Sequence, residues 1–302
     1  MKYFYIITNE TKDPGFVTTN NIRNYLMKRG KVCYIREFDV VLHADTVEEA
    51  DFCTEEEKRY GRQTRLEQIP PEVECVIVLG GDGTLLRAAR NLVNLNVPFL
   101  GINLGTLGYL TEGDKNSIQD ILERVIADEY ILEERMMIRG KIYDACGKLV
   151  AEDVALNDMT INRSRSLRIF KFKLYVNGQF LYLYTADGII VSTPTGSTAY
   201  NLSCGGPVVE PTAQLFLVTP IAPHSLNNRS LILSSTDKIE LEVIGSEKDL
   251  GSEVEYVSYF DGDSMYRLEP GGRIEITCAE QVTKILKLSS LSFLETLRIK
   301  MS

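Results

Sequence analysis

The chain has 302 residues, and its 44% hydrophobic and 25% charged content is that of an ordinary globular protein. A net charge of −9 argues against bulk attraction to nucleic acid or to an anionic membrane, and no apolar run approaches the roughly 20 residues of a membrane helix. Six scattered cysteines without a CxxC pair and only two histidines favour reduced thiols of a cytoplasmic protein, and they argue against a disulfide framework or a structural zinc site.

Residues 1–130 alternate between strand and helix patterns. The first apolar run, Tyr3–Thr8, has no cleavage site of a signal peptide after it and predicts a first strand. Continuously apolar strands separated by helices predict a parallel sheet covered on both faces. A charge-rich stretch, Glu49–Gln68, predicts a surface helix or mobile segment. The remaining predicted elements are helix Thr18–Gly30, strand Lys31–Glu37, strand Cys75–Gly80, helix Thr84–Leu95, strand Pro98–Asn103 and helix Asn116–Glu129.

After Tyr130 the pattern changes to short β-type runs broken by turns, which predicts an all-β second domain. Asn177-Gly178 is the clearest hairpin turn. The last segment, Lys284–Met301, predicts a strand and a short helix that pack back on the first domain. We therefore expect an α/β domain with a parallel sheet over residues 1–130, completed by 280–302, and a β-rich domain over 131–279.

A glycine-rich turn, GGDGT at Gly80–Thr84, separates a predicted strand from a predicted helix, where free helix amides commonly face a phosphate. The P-loop pattern fails because no lysine follows, and the dinucleotide pattern GxGxxG fails because Leu86 stands where its last glycine belongs. Asp82 is either a helix N-cap or a functional carboxylate. Glycine allows backbone angles and a close approach that a Cβ would forbid. A helix cap needs neither, so the three glycines around Asp82 favour a functional site.

A second glycine-rich loop, Gly101–Glu112, follows the next predicted strand. Loops after neighbouring parallel strands meet at the carboxyl edge of the sheet, which is where ligands bind in open α/β proteins. The two loops therefore predict two walls of one cleft.

In the β-rich part, Ala186–Val209 contains a buried strand pattern and then many hydroxyl side chains around Pro194 and Gly196. Such a loop suits ribose hydroxyls, amides or phosphate oxygens, although Ser/Thr-rich turns are common. Asp187 is interpreted as a hydrogen-bond acceptor for a ligand or as a turn cap. The adjacent Asn157 and Asp158 are suited to an adenine or ribose edge, or to an Asx turn.

Four stretches, in the same order and over essentially the whole chain, resemble the bacterial NAD kinases, which depend on ATP or polyphosphate: GGDGTLL, NLGTLGYLTE, LNDMTINR and DGIIVSTPTGSTAYNLSCGGPVV. Lipid kinases share only the first of them. The resemblance implies transfer of the ATP γ-phosphoryl group to the adenosine ribose 2′-hydroxyl of NAD. It also implies a divalent metal ion, Mg²⁺, and a homo-oligomer, a dimer or tetramer.

By the same resemblance, Asp82 is the proton acceptor for that hydroxyl. Asn157 and Asp158 read the adenosine, and Tyr200 stacks on a base. Asp187 lies near the nicotinamide end or the partner ribose. The full set of implied binding residues is Gly83, Arg87, Asn157, Asp158, Arg168, Asp187, Thr198, Ala199, Tyr200 and Ser203.

Two positions depart from the family pattern: Ser230 replaces a proline, and Asp263 replaces a glutamine. The first predicts a less rigid loop after His224, and the second could alter nucleotide or phosphate-donor preference. Two other functions stay open: a lipid or other small-molecule kinase that uses the same turn, and a catalytically silent NAD(P)-binding module. The sequence also leaves open NADH as a second substrate, polyphosphate as the donor, and inhibition by NADP.

Overall fold

The computed structural model describes residues 1–37, 69–105, 108–113, 115–163, 170–224, 229–244, 256–288 and 292–301. These form two compact units, of which the first takes in the described parts of 1–52, 64–135 and 282–302, and the second those of 136–281. The charge-rich segment Glu49–Gln68, predicted as a surface helix or mobile segment, lies outside the described residues. None of the described helices has the length and apolar character needed to cross a membrane.

The first unit is built on four adjacent parallel strands, in the order β2 (Val32–Glu37), β1 (Tyr3–Thr8), β3 (Cys75–Gly80) and β4 (Phe99–Asn103). Every residue of β3 and β4 is buried, as expected for strands covered on both faces. Short 3-10 turns at Pro14–Phe16 and Val93–Leu95 supplement the regular elements. These elements are β1 (Tyr3–Thr8), α1 (Val17–Lys28), β2 (Val32–Glu37), β3 (Cys75–Gly80), α2 (Asp82–Asn91), β4 (Phe99–Asn103) and α3 (Ile118–Ile126).

The start of α1 is held by a buried carboxylate just ahead of it. Asp13 accepts hydrogen bonds from the backbone N–H groups of Thr18 and Thr19, each at 2.9 Å. Burial alone raises the pKa of Asp13, but these hydrogen bonds to the charged form prevail and hold its pKa below the ordinary value. The loop between β1 and α1 is therefore fixed where it enters α1.

The chain ends in β16 (Arg273–Lys287) and α5 (Phe293–Met301). The last part of β16 lies parallel to β4, with Ile285 opposite Phe99. Beside it, the buried Glu112 accepts from Lys287 Nζ at 2.5 Å and from the backbone N–H of Leu288 at 3.0 Å. The predicted return of the C-terminal segment to the α/β unit is confirmed.

The second unit consists almost entirely of antiparallel strands in two sheets. The strands are β5 (Ile131–Tyr143), β6 (Leu149–Ala155), β7 (Asp158–Arg163), β8 (Phe170–Val176), β9 (Gln179–Ala186), β10 (Gly188–Ser192), β11 (Leu215–Ile221), β12 (Leu231–Ser234), β13 (Ile239–Ile244), β14 (Tyr256–Phe260) and β15 (Ser264–Leu268). One sheet has the order β12-β11-β10-β7-β14-β15. In the other, β16 pairs with β13, β13 with β8 and β8 with β9, while β5 pairs with β16 and β6.

The core of this unit contains three fully buried phenylalanines, Phe172, Phe216 and Phe260. The predicted hairpin turn is confirmed between β8 and β9, where Asn177 and Gly178 have φ angles of 51° and 78°. Positive φ at both central residues is the conformation that an Asn-Gly pair favours in a two-residue hairpin.

Candidate active site

The GGDGT turn connects β3 to α2 as predicted, but the helix begins at Asp82, two residues earlier than expected. Its glycines differ in their surroundings. A Cβ on Gly80 would lie 2.4 Å from the Thr84 hydroxyl, and one on Gly81 would lie 2.8 Å from Lys12 Nζ, whereas no atom of the described residues comes within 4 Å of a Cβ on Gly83. Gly83 and Arg87 are exposed one helical turn apart, so they present a common face to solvent.

The Asp82 carboxylate reaches across to the second glycine-rich loop. It accepts from the backbone N–H of Tyr109 at 2.7 Å and from that of Leu110 at 3.2 Å. It lies so close to Gly108 that a Cβ there would be 1.7 Å from its Oδ1 atom. The N-cap alternative is wrong, because Gly81 is the capping residue and no side-chain cap bond is formed.

The second loop starts directly beside the first. Leu104 N–H donates to the carbonyl of Gly80 at 2.9 Å, and Gly105 N–H donates to Asn103 Oδ1 at 2.7 Å. The two loops thus meet at the carboxyl edge of β3 and β4, as predicted from the parallel arrangement. Burial and the nearby Asp82 charge both raise the pKa of Tyr109, and Lys300 Nζ lies 4.1 Å from the centre of its ring.

A third loop at the same edge was missed in the sequence. The backbone N–H of Asn9, just after β1, donates to the Leu79 carbonyl at 2.8 Å, and its side-chain amide donates to Thr84 Oγ1 at 3.3 Å. The turn that follows carries Lys12. No sequence motif connects this lysine with GGDGT, because only the pairing of β1 with β3 brings them together.

In the second unit, Asn157 and Asp158 stand at the start of β7, and their backbone is held by Asp261. The Asp261 carboxylate accepts N–H groups of Leu156 at 2.9 Å, Asn157 at 2.7 Å and Asp158 at 3.2 Å. Asp261 has a left-handed φ of 51°, and Gly262 follows it. The sequence pattern points to Asp263 in the FDGD stretch but gives no sign of the anchoring role of Asp261.

Asp158 is a buried carboxyl, 6% exposed. Burial, and then the charge of Asp261, raises its pKa from 3.8 to about 7. Burial, and then Cys204 and Asp158, raises the pKa of Tyr200. The structure therefore brings Asp158 and Tyr200 into one neighbourhood, with the Tyr200 side chain 45% exposed.

The sequence predicts that the hydroxyls of the loop after β10 are ligand donors, and for Ser192, Thr193 and Ser197 this prediction is wrong. Ser192 Oγ donates to the Thr193 carbonyl at 2.9 Å, Thr193 Oγ1 to the Leu156 carbonyl at 2.6 Å, and Ser197 Oγ to the Val209 carbonyl at 3.2 Å. These hydroxyls hold the loop together. Of the predicted binding residues, Tyr200 and Ser203 are exposed on the four-residue helix α4 (Tyr200–Ser203), and Thr198 and Ala199 are half-buried before it.

Helix α4 is held in place by the side chain of Asn201, which is fully buried. Its amide donates to the carbonyls of Ser197 and Pro207, and its oxygen accepts from Thr219 Oγ1 at 2.7 Å. Ser230 Oγ lies 2.8 Å from the same Thr219 hydroxyl. The serine that replaces the family's proline thus extends this hydrogen-bonded network.

Asp187 does not join the Asp158 and Tyr200 neighbourhood through any described contact. Its carboxylate is 2.7 Å from Arg163 Nη2 and 3.4 Å from His224 Nε2. Arg168, the other predicted basic residue of this unit, lies outside the described residues. Within the described ranges, no three His, Cys, Asp or Glu side chains cluster as a metal site would require.

Known proteins are similar to this sequence over both the N-terminal and the C-terminal part of the chain. The family models for the N-terminal and C-terminal domains of ATP-NAD kinases match residues 4–130 and 156–288. The NAD kinase of Lachnospira eligens is 44% identical over 100% of both chains, and that of Agathobacter rectalis is 41% identical over 100% of this chain and 99% of its own.

Two solved structures share the fold. Yeast NADH kinase complexed with NADH has a TM-score of 0.81 at 22% identity, covering 100% of this chain and 87% of its own. The NAD kinase from Archaeoglobus fulgidus in complex with ATP has a TM-score of 0.69 at 22% identity, covering 96% of this chain and 94% of its own. Together with the family models and the full-length relatives, the geometry leads to one conclusion: the chain belongs to the NAD kinase family.

Proposed function

We propose that the chain transfers the γ-phosphoryl group of ATP to the 2′-hydroxyl of the adenosine ribose of NAD. The bond from the 2′-oxygen to phosphorus forms as the bond from the γ-phosphorus to the bridging β,γ-oxygen breaks. The hydroxyl proton passes to the Asp82 carboxylate, and the products are NADP and ADP. Phosphoryl transfer needs positioning and charge stabilisation more than covalent chemistry, and a turn of glycines around one carboxylate supplies close approach to an alcohol.

One observation carries the catalytic assignment: Asp82 lies where two glycine-rich loops meet at the carboxyl edge of the sheet. Its hydrogen bonds from Tyr109 and Leu110 fix the direction of the carboxylate. General bases act through such fixed geometry as much as through their pKa. The exposed Gly83 and Arg87 stand on the adjacent helix face, and we propose that Gly83 lines the dinucleotide site while Arg87 meets a phosphate.

The test is NADP formation from NAD and MgATP, followed with an NADP-specific dehydrogenase. We expect NADP to accumulate in proportion to enzyme and ADP to appear in equal amount. A protein that binds NAD without forming NADP from MgATP, or that binds no NAD at all, would contradict the proposal.

The second unit supplies the proposed NAD-binding residues. We propose that Asn157 and Asp158 read the adenosine, supported by the rigid backbone that Asp261 gives them. Tyr200 is proposed to stack on a base, and Asp187 to act near the nicotinamide end or the partner ribose. The further proposed contacts are Arg168, Thr198, Ala199 and Ser203.

Replacing Tyr200 by alanine is expected to raise the KM for NAD by about tenfold, because stacking on a base is worth roughly 1–3 kcal/mol. The KM for ATP should change less. Steady-state kinetics with each substrate varied in turn checks this, and Leu202→Ala on the same short helix is the matched control. Equal effects on both KM values would rule out stacking on NAD.

We propose that Mg²⁺ enters with the nucleotide, as MgATP. In kinase sites this ion is held largely by substrate phosphates and water, with one or two carboxylates. Asp82 keeps its role as proton acceptor, so the ligands of the ion would come from the phosphates and from water. When bound, the ion would neutralise phosphate charge during transfer.

We also propose a cytoplasmic homo-oligomer. Edge strand β9 exposes four large apolar or aromatic side chains, with Phe180 57%, Leu181 39%, Tyr182 48% and Leu183 53% exposed. An exposed apolar edge strand favours pairing with another chain. Leu183→Lys is therefore expected to lower the molar mass measured by light scattering after size exclusion. An unchanged mass, with exposed Val17→Lys as control, would exclude β9 as the interface.

A further inference from the structure

Lys12 occupies the place that a phosphate-binding lysine would need, although it lies far from GGDGT in the chain. Its Nζ atom is 2.8 Å from the position of a Cβ on Gly81 and 3.9 Å from that of a Cβ on Gly105. The ammonium group thus lies over both glycine loops. Gly81 has extended backbone angles that any residue adopts, so its lack of a side chain serves the approach of the lysine.

The turn that carries Lys12 is built to hold it there. The backbone N–H groups of Lys12 and Asp13 both donate to the Asn9 carbonyl at 3.0 Å, and Thr11 Oγ1 donates to Asn9 Oδ1 at 2.6 Å. Asn9 is itself bonded to Leu79 and Thr84 at the two ends of the GGDGT turn. The base of the lysine side chain is therefore fixed relative to that turn.

No carboxylate neutralises this ammonium within the part of the chain that the structure describes. The neighbouring Asp13 is buried, and its oxygens accept from Thr18 and Thr19 at the start of α1. Lys12 is exposed and forms no ion pair with a described residue. An ammonium group whose backbone turn is held beside the first amides of α2, which have no acceptor inside the helix, is a site for a phosphate oxygen.

We propose that Lys12 binds a terminal phosphate oxygen of the phosphoryl donor, MgATP, and steadies the charge on the transferred group. The proposal rests on the phosphoryl transfer proposed above. Gly81, over which the ammonium lies, directly precedes Asp82, so the cation stands at the reacting end of the donor. The 2′-hydroxyl proton still goes to Asp82. The lysine that GGDGT lacks is thus supplied by the loop after β1.

The test compares Lys12→Gln with Lys12→Arg and with Lys28→Gln, an exposed lysine at the end of α1. Removing one fixed donor to a reacting oxyanion typically costs about 10²–10³-fold. We expect Lys12→Gln to lower kcat/KM for ATP by about that factor and to leave the KM for NAD within about threefold. Lys12→Arg should recover part of the loss because it restores the charge, and Lys28→Gln should match the wild type.

Calorimetric titration with a non-hydrolysable ATP analogue and Mg²⁺, without NAD, gives a readout apart from turnover. Its binding should weaken in Lys12→Gln, while thermal unfolding stays at the wild-type temperature. If wild type forms NADP and Lys12→Gln keeps the kcat/KM for ATP of Lys28→Gln, the proposal is overturned. It is also overturned if only the KM for NAD rises, since the contacted phosphate then belongs to the dinucleotide. An inactive wild type would refute the proposed function instead.

Discussion

Replacing Asp82 by asparagine is expected to lower kcat by at least about 10³-fold while NAD affinity stays within about tenfold. General-base catalysis contributes roughly 10²–10⁴-fold, and the variant also loses the negative charge that orients the hydroxyl. Asparagine has one acceptor oxygen for the two N–H groups of Tyr109 and Leu110 that the carboxylate now accepts. One lost hydrogen bond should cost about 1 kcal/mol of stability, which is far too little to explain the loss of turnover.

The measurement is NADP formation, with NAD binding and thermal unfolding recorded on the same preparation. Asp120→Asn is the matched control, because Asp120 is an exposed carboxylate in the first turn of α3. Near-normal turnover in Asp82→Asn would show that Asp82 serves only to tie the two glycine loops together. The catalytic assignment would then be wrong.

Asp158→Asn is expected to stabilise the folded protein above pH 7 and to weaken NAD binding. Burial and Asp261 raise the pKa of Asp158 from 3.8 to about 7. The folded state therefore keeps a proton that the unfolded chain releases near pH 3.8. As the pH rises from 3.8 to 7, ionisation favours the unfolded chain, and the free energy of unfolding loses about 4 kcal/mol before the effect levels off. Asparagine avoids this loss.

Burying an amide in place of a protonated carboxyl costs roughly 2 kcal/mol at either pH. We therefore expect Asp158→Asn to be about 2 kcal/mol more stable than wild type at pH 8 and about 1–2 kcal/mol less stable at pH 4. Urea unfolding of both proteins at the two pH values measures the difference, with Asp120→Asn again as control. An equal effect at both pH values would show that Asp158 has no raised pKa. If Asp158→Asn binds NAD as tightly as wild type, Asp158 is not an NAD-binding residue, and binding does not explain why its carboxyl is buried.

The fold was predictable because its signals are local or periodic. The apolar runs of β1, β3 and β4, separated by helical spacing, indicate a parallel sheet. The Asn177-Gly178 turn predicts its hairpin through the φ angles that these residues tolerate. The meeting of the GGDGT turn with the Gly101–Glu112 loop followed from the rule that loops after parallel strands share an edge.

The candidate site was less predictable where it depends on contacts between distant residues. Lys12 and Asp261 each act on a turn far away in the chain, and neither carries a local pattern that identifies its partner. Composition also misled: Ser192, Thr193 and Ser197 form a dense run of hydroxyls, but their hydrogen bonds go to backbone carbonyls. Whether a hydroxyl binds a ligand or stabilises its own loop depends on where the side chain points, and residue type alone does not specify that direction.

The return of β16 to β4 has a consequence for biosynthesis. The strand that borders β4 leaves the ribosome only after the entire second unit has been translated. Domains usually fold in the order of their synthesis. Here the N-terminal sheet has one edge uncovered until β16 has been synthesised, and until then the Glu112 carboxylate lacks the Lys287 and Leu288 donors. A nascent chain stalled before residue 282 should therefore remain sensitive to proteases in its first unit and depend on chaperones, although the codons for GGDGT were read long before.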